Sequence, residues 1–409
     1  MTTLKELYHK IAEQELKKGR DITKQEEDQS LDCLLHPEKY APVVHNGECR
    51  DCEGEGECVK SCEFGAIEKT PEGKVTIHPE SCVGCGVCVN ACKLGHIKEN
   101  REIYPVLKAL EEGKHPVYAL VAPAFVGQFG EEVTPGQLRN GFKALGFQGM
   151  VEVAVFADIL TLKEALEFDH HVKKQGDFQL TSCCCPIWIS MIRGIYKELA
   201  PHVPGAVSPM IAAGRVVKKL YPDAVTVFIG PCMAKKKEAR EEDIKDAVDY
   251  VLTFQETGEI FEAADIKAAE LSEDAKEHSS KAGRIYARTG GVSQAVKETV
   301  NQLDPKKAIK VEAEQADGVL DCKKLIERVK NGETKANFFE GMGCKGGCVG
   351  GPKAMISEEE GKAYVEEYGE QAEYKTPLEN PFVRELLERL GFHNIMDFVE
   401  NSDLLIRKF

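Results

Sequence analysis

Of the sixteen cysteines in 409 residues, fourteen fall into two kinds of pattern. The first is compact: Cys49-x2-Cys52-x5-Cys58-x3-Cys62, then Cys82-x2-Cys85-x2-Cys88-x3-Cys92. The second is three short elements far apart in the chain: Thr181-Ser-Cys-Cys-Cys-Pro-Ile-Trp188, Gly230-Pro-Cys-Met-Ala-Lys235 and Glu340-Gly-Met-Gly-Cys-Lys-Gly-Gly-Cys348. Each of these sets cysteine beside Gly or Pro, on what should be a turn. Thiolates on separate turns can converge on one metal centre, and soft thiolate ligands suit iron–sulfur chemistry. Zinc sites pair two short C-x2-4-C elements across a longer spacer, which is not the pattern here.

The run from Cys82 to Cys92 has the spacing of bacterial two-cluster ferredoxins, whose fourth cysteine ligates the other cluster. Crossed wiring then assigns Cys49, Cys52, Cys58 and Cys92 to one 4Fe–4S cluster, and Cys82, Cys85, Cys88 and Cys62 to a second. Gly84 and Gly86 let backbone N–H groups turn toward the sulfides. Gly65-Ala-Ile67 and Gly95-His-Ile97 follow the two runs at one offset, as in a duplicated half-unit. The proline usual after the fourth cysteine is replaced by Glu63 and Lys93.

Taken together, the three distal elements resemble the iron-only (FeFe) hydrogenases. The motif order matches that family: Thr-Ser-Cys-Cys-Cys-Pro-Ile-Trp, Pro231-Cys232-Met-Ala-Lys235-Lys-Lys-Glu238, and Glu340 through Cys348 to Gly350-Gly-Pro352. Ala122-Pro123, Thr289-Gly-Gly291 and Glu379-Asn-Pro381 add to the likeness, which spans about residues 45–400. The triple-cysteine version is similar to the group B branch. The resemblance implies that Cys185, Cys232, Cys344 and Cys348 hold a third cubane, bridged by Cys348 to a diiron unit with CO, cyanide and dithiolate ligands. Together these form the H-cluster. Lys235 would donate to a cyanide, and Met342 would wall the diiron unit. Ala122, Pro123, Ala124 and Pro231 would close the pocket, and Glu238 and Glu340 would orient the ligands. Cys184, left free beside Cys185, would relay protons toward Glu164 and Glu167, with His171 at the outer end. A solvated helix face would also produce that acidic stripe. Three departures stand out: Cys183 where many members have Ser, Pro204 where a relay Ser is expected, and Met210 with Ala124 where polar residues are usual.

The expected function is therefore that of a ferredoxin hydrogenase: reversible reduction of protons to hydrogen, with electrons from ferredoxin or a similar redox protein. Maturation proteins would build the diiron unit. One alternative is a hydrogen sensor working with a separate signalling partner. Another is the related iron–sulfur assembly protein, which lacks the diiron unit; Cys184, Lys235 and the complete third motif argue against it.

The rest of the chain must position these residues. Val117–Ala122, Met150–Ala157 and Ala224–Gly230 read as buried parallel strands. Helical stretches at 136–145 and 161–174 lie between them, which is βαβ texture with ligands expected at strand ends. The expected architecture is an α/β catalytic domain over 101–409, two lobes of parallel or mixed sheet around a buried cluster. An α+β ferredoxin-like domain over 45–100 precedes it, after an N-terminal helical segment and linker over 1–44. An amphipathic helix is expected from Leu4 to Lys18, and helices over 378–390 and 394–398. The formal net charge of −15 disfavours nucleic acid. No apolar run approaches the ~20 residues of a membrane span. No export signal precedes the cysteines, so a reducing cytoplasm is expected. Cys33, Cys322, Trp188, His202 and His393 fit no motif and read as structural. Lys235–Lys237 resembles a basic patch, offset by the acids that follow.

Overall fold

The computed structural model describes residues 6, 10, 32–46, 49, 52, 56–181, 184–276 and 278–407. Cys183, and most of the expected helix from Leu4 to Lys18, lie outside them.

Two small antiparallel sheets form the N-terminal unit. Strand β1 (Val43–His45) pairs with β4 (Ile97–Glu99), and β2 (Ile67–Lys69) pairs with β3 (Val75–Ile77). A short helix follows the cysteine loop of each half, Glu57–Lys60 and Val87–Ala91. That is the expected duplicated ferredoxin-like arrangement. Its core joins Val43, Ala66, Ile67 and Ile97 to the cysteines Cys58, Cys82 and Cys88.

Beyond it lie two parallel sheets. Strands β5 (Val117–Val121), β6 (Gly149–Glu152), β8 (Val225–Gly230) and β9 (Tyr250–Thr253) form the first, in the order β6-β5-β8-β9. The second orders β10 (Ala313–Asp317), β11 (Phe338–Met342) and β7 (Gln179–Leu180). Each sheet carries its own apolar core, and the expected two-lobed α/β architecture is what forms.

Two local expectations are corrected. The apolar run Met150–Ala157 is strand only to Glu152, and from Ala154 it is helix through His171. A short apolar run does not separate strand from buried helix by period. This helix is buried on nearly all sides along its first twelve residues, so it shows no amphipathic signature. The linker part, Asp21 to Ala41, reads from the sequence as irregular, yet residues 32–35 form a helical turn and Pro37–Lys39 a 3-10 turn. The remaining helices form near their expected places. Pro135–Ala144 starts at a Thr134 capping box with Pro at its first position, and Pro381–Arg389 is capped by Asn380.

Trp188, the chain's single tryptophan, is fully buried. It lies so close to β11 that a Cβ on Gly341 would stand 1.9 Å from its ring, while one on Gly343 would meet Ile187 at 2.6 Å. The first distal motif therefore packs on the glycines of the third. Gly341→Ala is expected to destabilise the chain by about 1–3 kcal/mol through overpacking. Urea unfolding followed by Trp188 fluorescence would measure it. An unchanged midpoint would mean that the two motifs do not pack as described.

Candidate metal centre

The distal motifs all leave the carboxyl ends of parallel strands. β5 runs into Ala122 and the turn Pro123–Phe125, and β8 runs into Pro231 and Cys232. Cys184 and Cys185 follow β7, and Cys344 follows β11. Strand ends are where open α/β sheets hold ligands, because the loops there converge. Cys185 sits at the N-terminus of the helix Pro186–Gly194, and its Sγ accepts from Gly343 N at 3.2 Å.

No disulfide joins the described cysteines. Burial pushes the Cys232 thiol up to about 11, and the neighbouring Cys185 adds to the shift. Burial likewise pushes Cys348 up to about 12, reinforced by Cys232 and Cys185. Cys344 is raised well above its ordinary value by burial, then by Cys232, Cys185 and Cys348. Burial and mutual repulsion thus oppose the ionisation of Cys232, Cys344 and Cys348. A metal cation reverses that, since a coordinating thiol is deprotonated outright. The donor set is soft, four-fold and enclosed, which fits a cubane.

Lys235 projects from the short helix Ala234–Glu238 and is buried. Its Nζ donates to Glu238 at 2.7 Å and to the backbone oxygen of Cys184 at 3.2 Å. Burial alone would lower its pKa, but Glu238, Cys232 and Cys348 together raise it, so the ammonium persists. The second oxygen of Glu238 and the Thr181 hydroxyl are buried without a hydrogen-bond partner. Both lie on thiol-bearing motifs, where unpaired buried polar groups mark a place for a ligand. Ala122, Ala124, Pro231 and Met342 are buried and Pro123 half-buried.

Glu340 supplies an organising contact. Its carboxylate accepts from Gly290 N (2.8 Å), Ser293 N (2.8 Å) and the Ser293 hydroxyl (2.6 Å), at the start of the helix Gly291–Leu303. Gly290 has φ +80°, and a Cβ on Gly291 would collide with the Ile285 carbonyl oxygen at 1.8 Å. Thr289-Gly-Gly291 is thus a helix start fitted to a buried acid on β11.

The acidic stripe divides by depth. Glu164 is buried and accepts from Gln179 Nε2 at 3.0 Å. Half-exposed Glu167 pairs with Lys163 at 3.1 Å and lies 3.7 Å from His171. Burial raises the Cys184 thiol well above its ordinary value, and Cys185 and Glu164 add to that. The stripe therefore runs inward from a surface histidine toward the pocket. Pro204 and Met210 are buried and bring no side-chain hydroxyl there. Tyr286, hydrogen-bonded to Thr161 at 2.8 Å, is the buried hydroxyl near Glu164 and Cys184.

In the N-terminal unit, Cys49 is raised by burial and then by Cys92, Cys52 and Cys58. Burial pushes Cys88 up to about 12, with Cys85, Cys82 and Cys62 adding. Both groupings follow the crossed wiring, and one cavity is lined by Cys62, Cys82, Cys85 and Cys88. Gly84 and Gly86 do more than turn amides. A Cβ on Gly84 would stand 2.9 Å from Ala234 Cα, and one on Gly86 2.5 Å from Met233 Cε. Met233, from the second distal motif, is buried in the ferredoxin-like core, and the charge of Cys85 reaches Cys344.

The expected basic patch is not a patch. Lys235 faces the thiols. Fully buried Lys236 bonds Glu256 at 2.9 and 3.0 Å and the Asn100 carbonyl at 2.7 Å, while Lys237 reaches the Pro79 carbonyl at 3.0 Å. Lys236 and Lys237 thereby clamp the ferredoxin-like unit. Sequence reasoning missed Lys236, Gln179, Ser293 and Tyr286, whose partners are remote in the chain; only the glycines beside Ser293 hinted at its role. Cys322 is buried against the Met342 carbonyl (3.2 Å), and His202 stacks on Phe178. Cys33 bonds Asn100 at 3.4 Å, and His393 is exposed.

Residues 115–352 match the family described as iron only hydrogenase large subunit, C-terminal domain, and residues 48–95 match a 4Fe-4S dicluster domain. Iron hydrogenase 1 of Clostridium pasteurianum is 28% identical over 275 residues, covering 58% of this chain and 48% of that protein. Cytosolic iron-sulfur assembly component 3 of Bos taurus is 24% identical over 315 residues, 63% of this chain and 65% of that one. The chain thus spans less than two thirds of either curated relative. A solved [FeFe]-hydrogenase, from work on oxygen inactivation at the H cluster, superposes with a TM-score of 0.61 at 25% identity, covering 74% of this chain and 98% of that chain.

Breaking a fully buried ion pair from one side costs about 3–5 kcal/mol. Lys236→Met is expected to destabilise the cluster-loaded protein by that order, and Lys237→Met by less than about 1 kcal/mol. Urea unfolding of the two variants would check it, and equal effects would remove Lys236 as the clamp.

Proposed function

This chain belongs to the family of the iron-only hydrogenase large subunit, C-terminal domain, and from that premise we propose that it catalyses the reversible reduction of two protons by two electrons to hydrogen. The observation that carries this reading is the pocket chemistry beside the four thiols. Buried Lys235 donates to the backbone of Cys184, and Cys184 is a thiol left over when Cys185, Cys232, Cys344 and Cys348 are assigned as ligands. An electron-storage protein has no need of a buried ammonium and a spare thiol there.

Cys185, Cys232, Cys344 and Cys348 would hold the third cubane and, through Cys348, the diiron unit. When bound, that unit would supply the redox chemistry. The chain's own part is to orient, to exclude water and to move protons. Lys235, its charge held by Glu238, supplies donors to anionic ligands of the unit in a water-poor pocket, where charge-assisted bonds are strong. Met342, Ala122, Pro123, Ala124 and Pro231 form the apolar wall. Cys184 hands protons between the pocket and Glu164, with Glu167 and His171 leading outward. The cysteines at 49–62 and 82–92 would hold two 4Fe–4S clusters, which would supply one-electron transfer from ferredoxin or a similar protein, and the charge of Cys85 reaches Cys344. No helix among the described residues is long and apolar enough to cross a membrane. Function in the cytoplasm, where maturation proteins would install the diiron unit, accords with the cysteine chemistry.

A second reading follows from the relatives. Several curated proteins similar to this chain are named for cytosolic iron–sulfur assembly. Under it the cubanes serve assembly, no diiron unit is installed, and Cys184 and Lys235 have no catalytic task.

Infrared spectroscopy of protein produced with hydrogenase maturation proteins separates the two. CO and cyanide bands are expected. Their absence at full cubane loading would sink the hydrogenase reading and leave assembly. Cys184→Ala is expected to lower hydrogen turnover by about 10²–10⁴-fold, the range of a lost proton-transfer group, with iron content and infrared bands retained.

A further inference from the structure

The two halves of the ferredoxin-like unit are related by their strand pairing, yet they differ around the clusters. In one half Ile77 pairs with Ile67, and Ala66 precedes Ile67. In the other His45 pairs with Ile97, and His96 precedes Ile97. Two small or apolar positions of the first half are therefore imidazoles in the second.

Both imidazoles face one sulfur. His45 Nε2 lies 3.1 Å and His96 Nδ1 3.7 Å from Cys49 Sγ, and the ligating atoms of all three lie within 4.8 Å of one another. The rings are held edge to face with centroids 6.1 Å apart. Their backbones are tied as well, Asn46 N donating to the His96 carbonyl at 2.9 Å. The corresponding sulfur of the other half, Cys82, is met by the backbone amides of Gly84 and Val43, and by no imidazole among the described residues.

We propose that His45 and His96 act as paired N–H donors to the Cys49 sulfur and raise the reduction potential of the outer 4Fe–4S cluster, the one assigned to Cys49, Cys52, Cys58 and Cys92. An N–H dipole aimed at a cluster sulfur stabilises the extra negative charge of the reduced state, and hydrogen bonds to sulfur are among the determinants of cluster potential. The inner cluster, lined by Cys62, Cys82, Cys85 and Cys88, has no such pair among the described residues. His45 and His96 are positioning residues in this account, since the iron ligands remain the four cysteines. The inference rests on the assignment of Cys49, Cys52, Cys58 and Cys92 as ligands. It holds whether the chain makes hydrogen or serves assembly.

The test is an EPR-monitored redox titration of the full chain carrying its cubanes. The outer wave is identified as the one altered in Cys52→Ala. In His45→Leu/His96→Leu that wave is expected to move to lower potential, changing the oxidised-to-reduced ratio at fixed poise by about tenfold, or 59 mV for one electron. The remaining waves should stay in place. His45→Gln/His96→Asn, which keeps N–H donors, should recover part of the shift. An unmoved outer wave, or an equal shift of all waves, overturns the proposal. So does loss of four irons in both double variants, which would make the imidazoles ligands. Wild-type protein with no cluster altered by Cys52→Ala would refute the ligand assignment itself.

Discussion

Everything around the distal cysteine motifs answers to one constraint: four cysteines are brought together away from water. Cys232, Cys344 and Cys348 are all pushed upward by burial first and by neighbouring thiols second. A cation reverses that shift, since a coordinating thiol is deprotonated outright. The surrounding architecture serves that transition. Parallel strands bring the thiols in on separate loops, and Gly343 N points at Cys185. Lys235 places a permanent positive charge alongside. A second buried acid, Glu340, is absorbed by a helix start and so does not add to the local negative charge unpaired.

The motif from Pro231 to Glu238 joins the parts of the molecule. Within seven residues it supplies a thiol, the pocket ammonium, a methionine buried in the ferredoxin-like core and a lysine locked to Glu256. Burial would raise the Glu256 carboxyl, but Lys236 and Arg101 hold it down. The pair therefore remains ionic in the interior, where Coulomb attraction and hydrogen bonds must both offset desolvation. Because one short helix carries both Lys235 and Lys236, the approach of the ferredoxin-like unit to the distal cysteines is set by backbone geometry. Gly84 and Gly86 permit that approach, each at a positive φ and with no room for a Cβ.

A scaffold built this way supports more than one use. The cage, the glycine contacts and the clamp are needed by any protein that keeps cubanes in register. The pocket beside the cage is separable: Cys184, Lys235 and Glu238 stand outside the strands. Hydrogenases and assembly proteins within one family are what such separability predicts, since function lives in the site and not in the fold.

The sequence alone determined the cysteine chemistry and the fold class, because ligand spacing in a short loop is a covalent matter and buried parallel strands leave continuous apolar runs. It located the strand end that carries Cys232, whereas β7 and β11, which lead to Cys185 and Cys344, were not read from it. It misplaced the end of β6, since a helix buried all round has no polar face to reveal its period. It read Lys235, Lys236 and Lys237 as one charge run, although their partners, Glu238, Glu256 and Pro79, lie in three different directions. Only the tertiary structure decided those pairings, the depth of Glu164 against Glu167, and the facing of His45 and His96 onto Cys49. These depend on contacts between residues far apart in the chain, and neither spacing nor composition encodes which distant group will stand within hydrogen-bond reach.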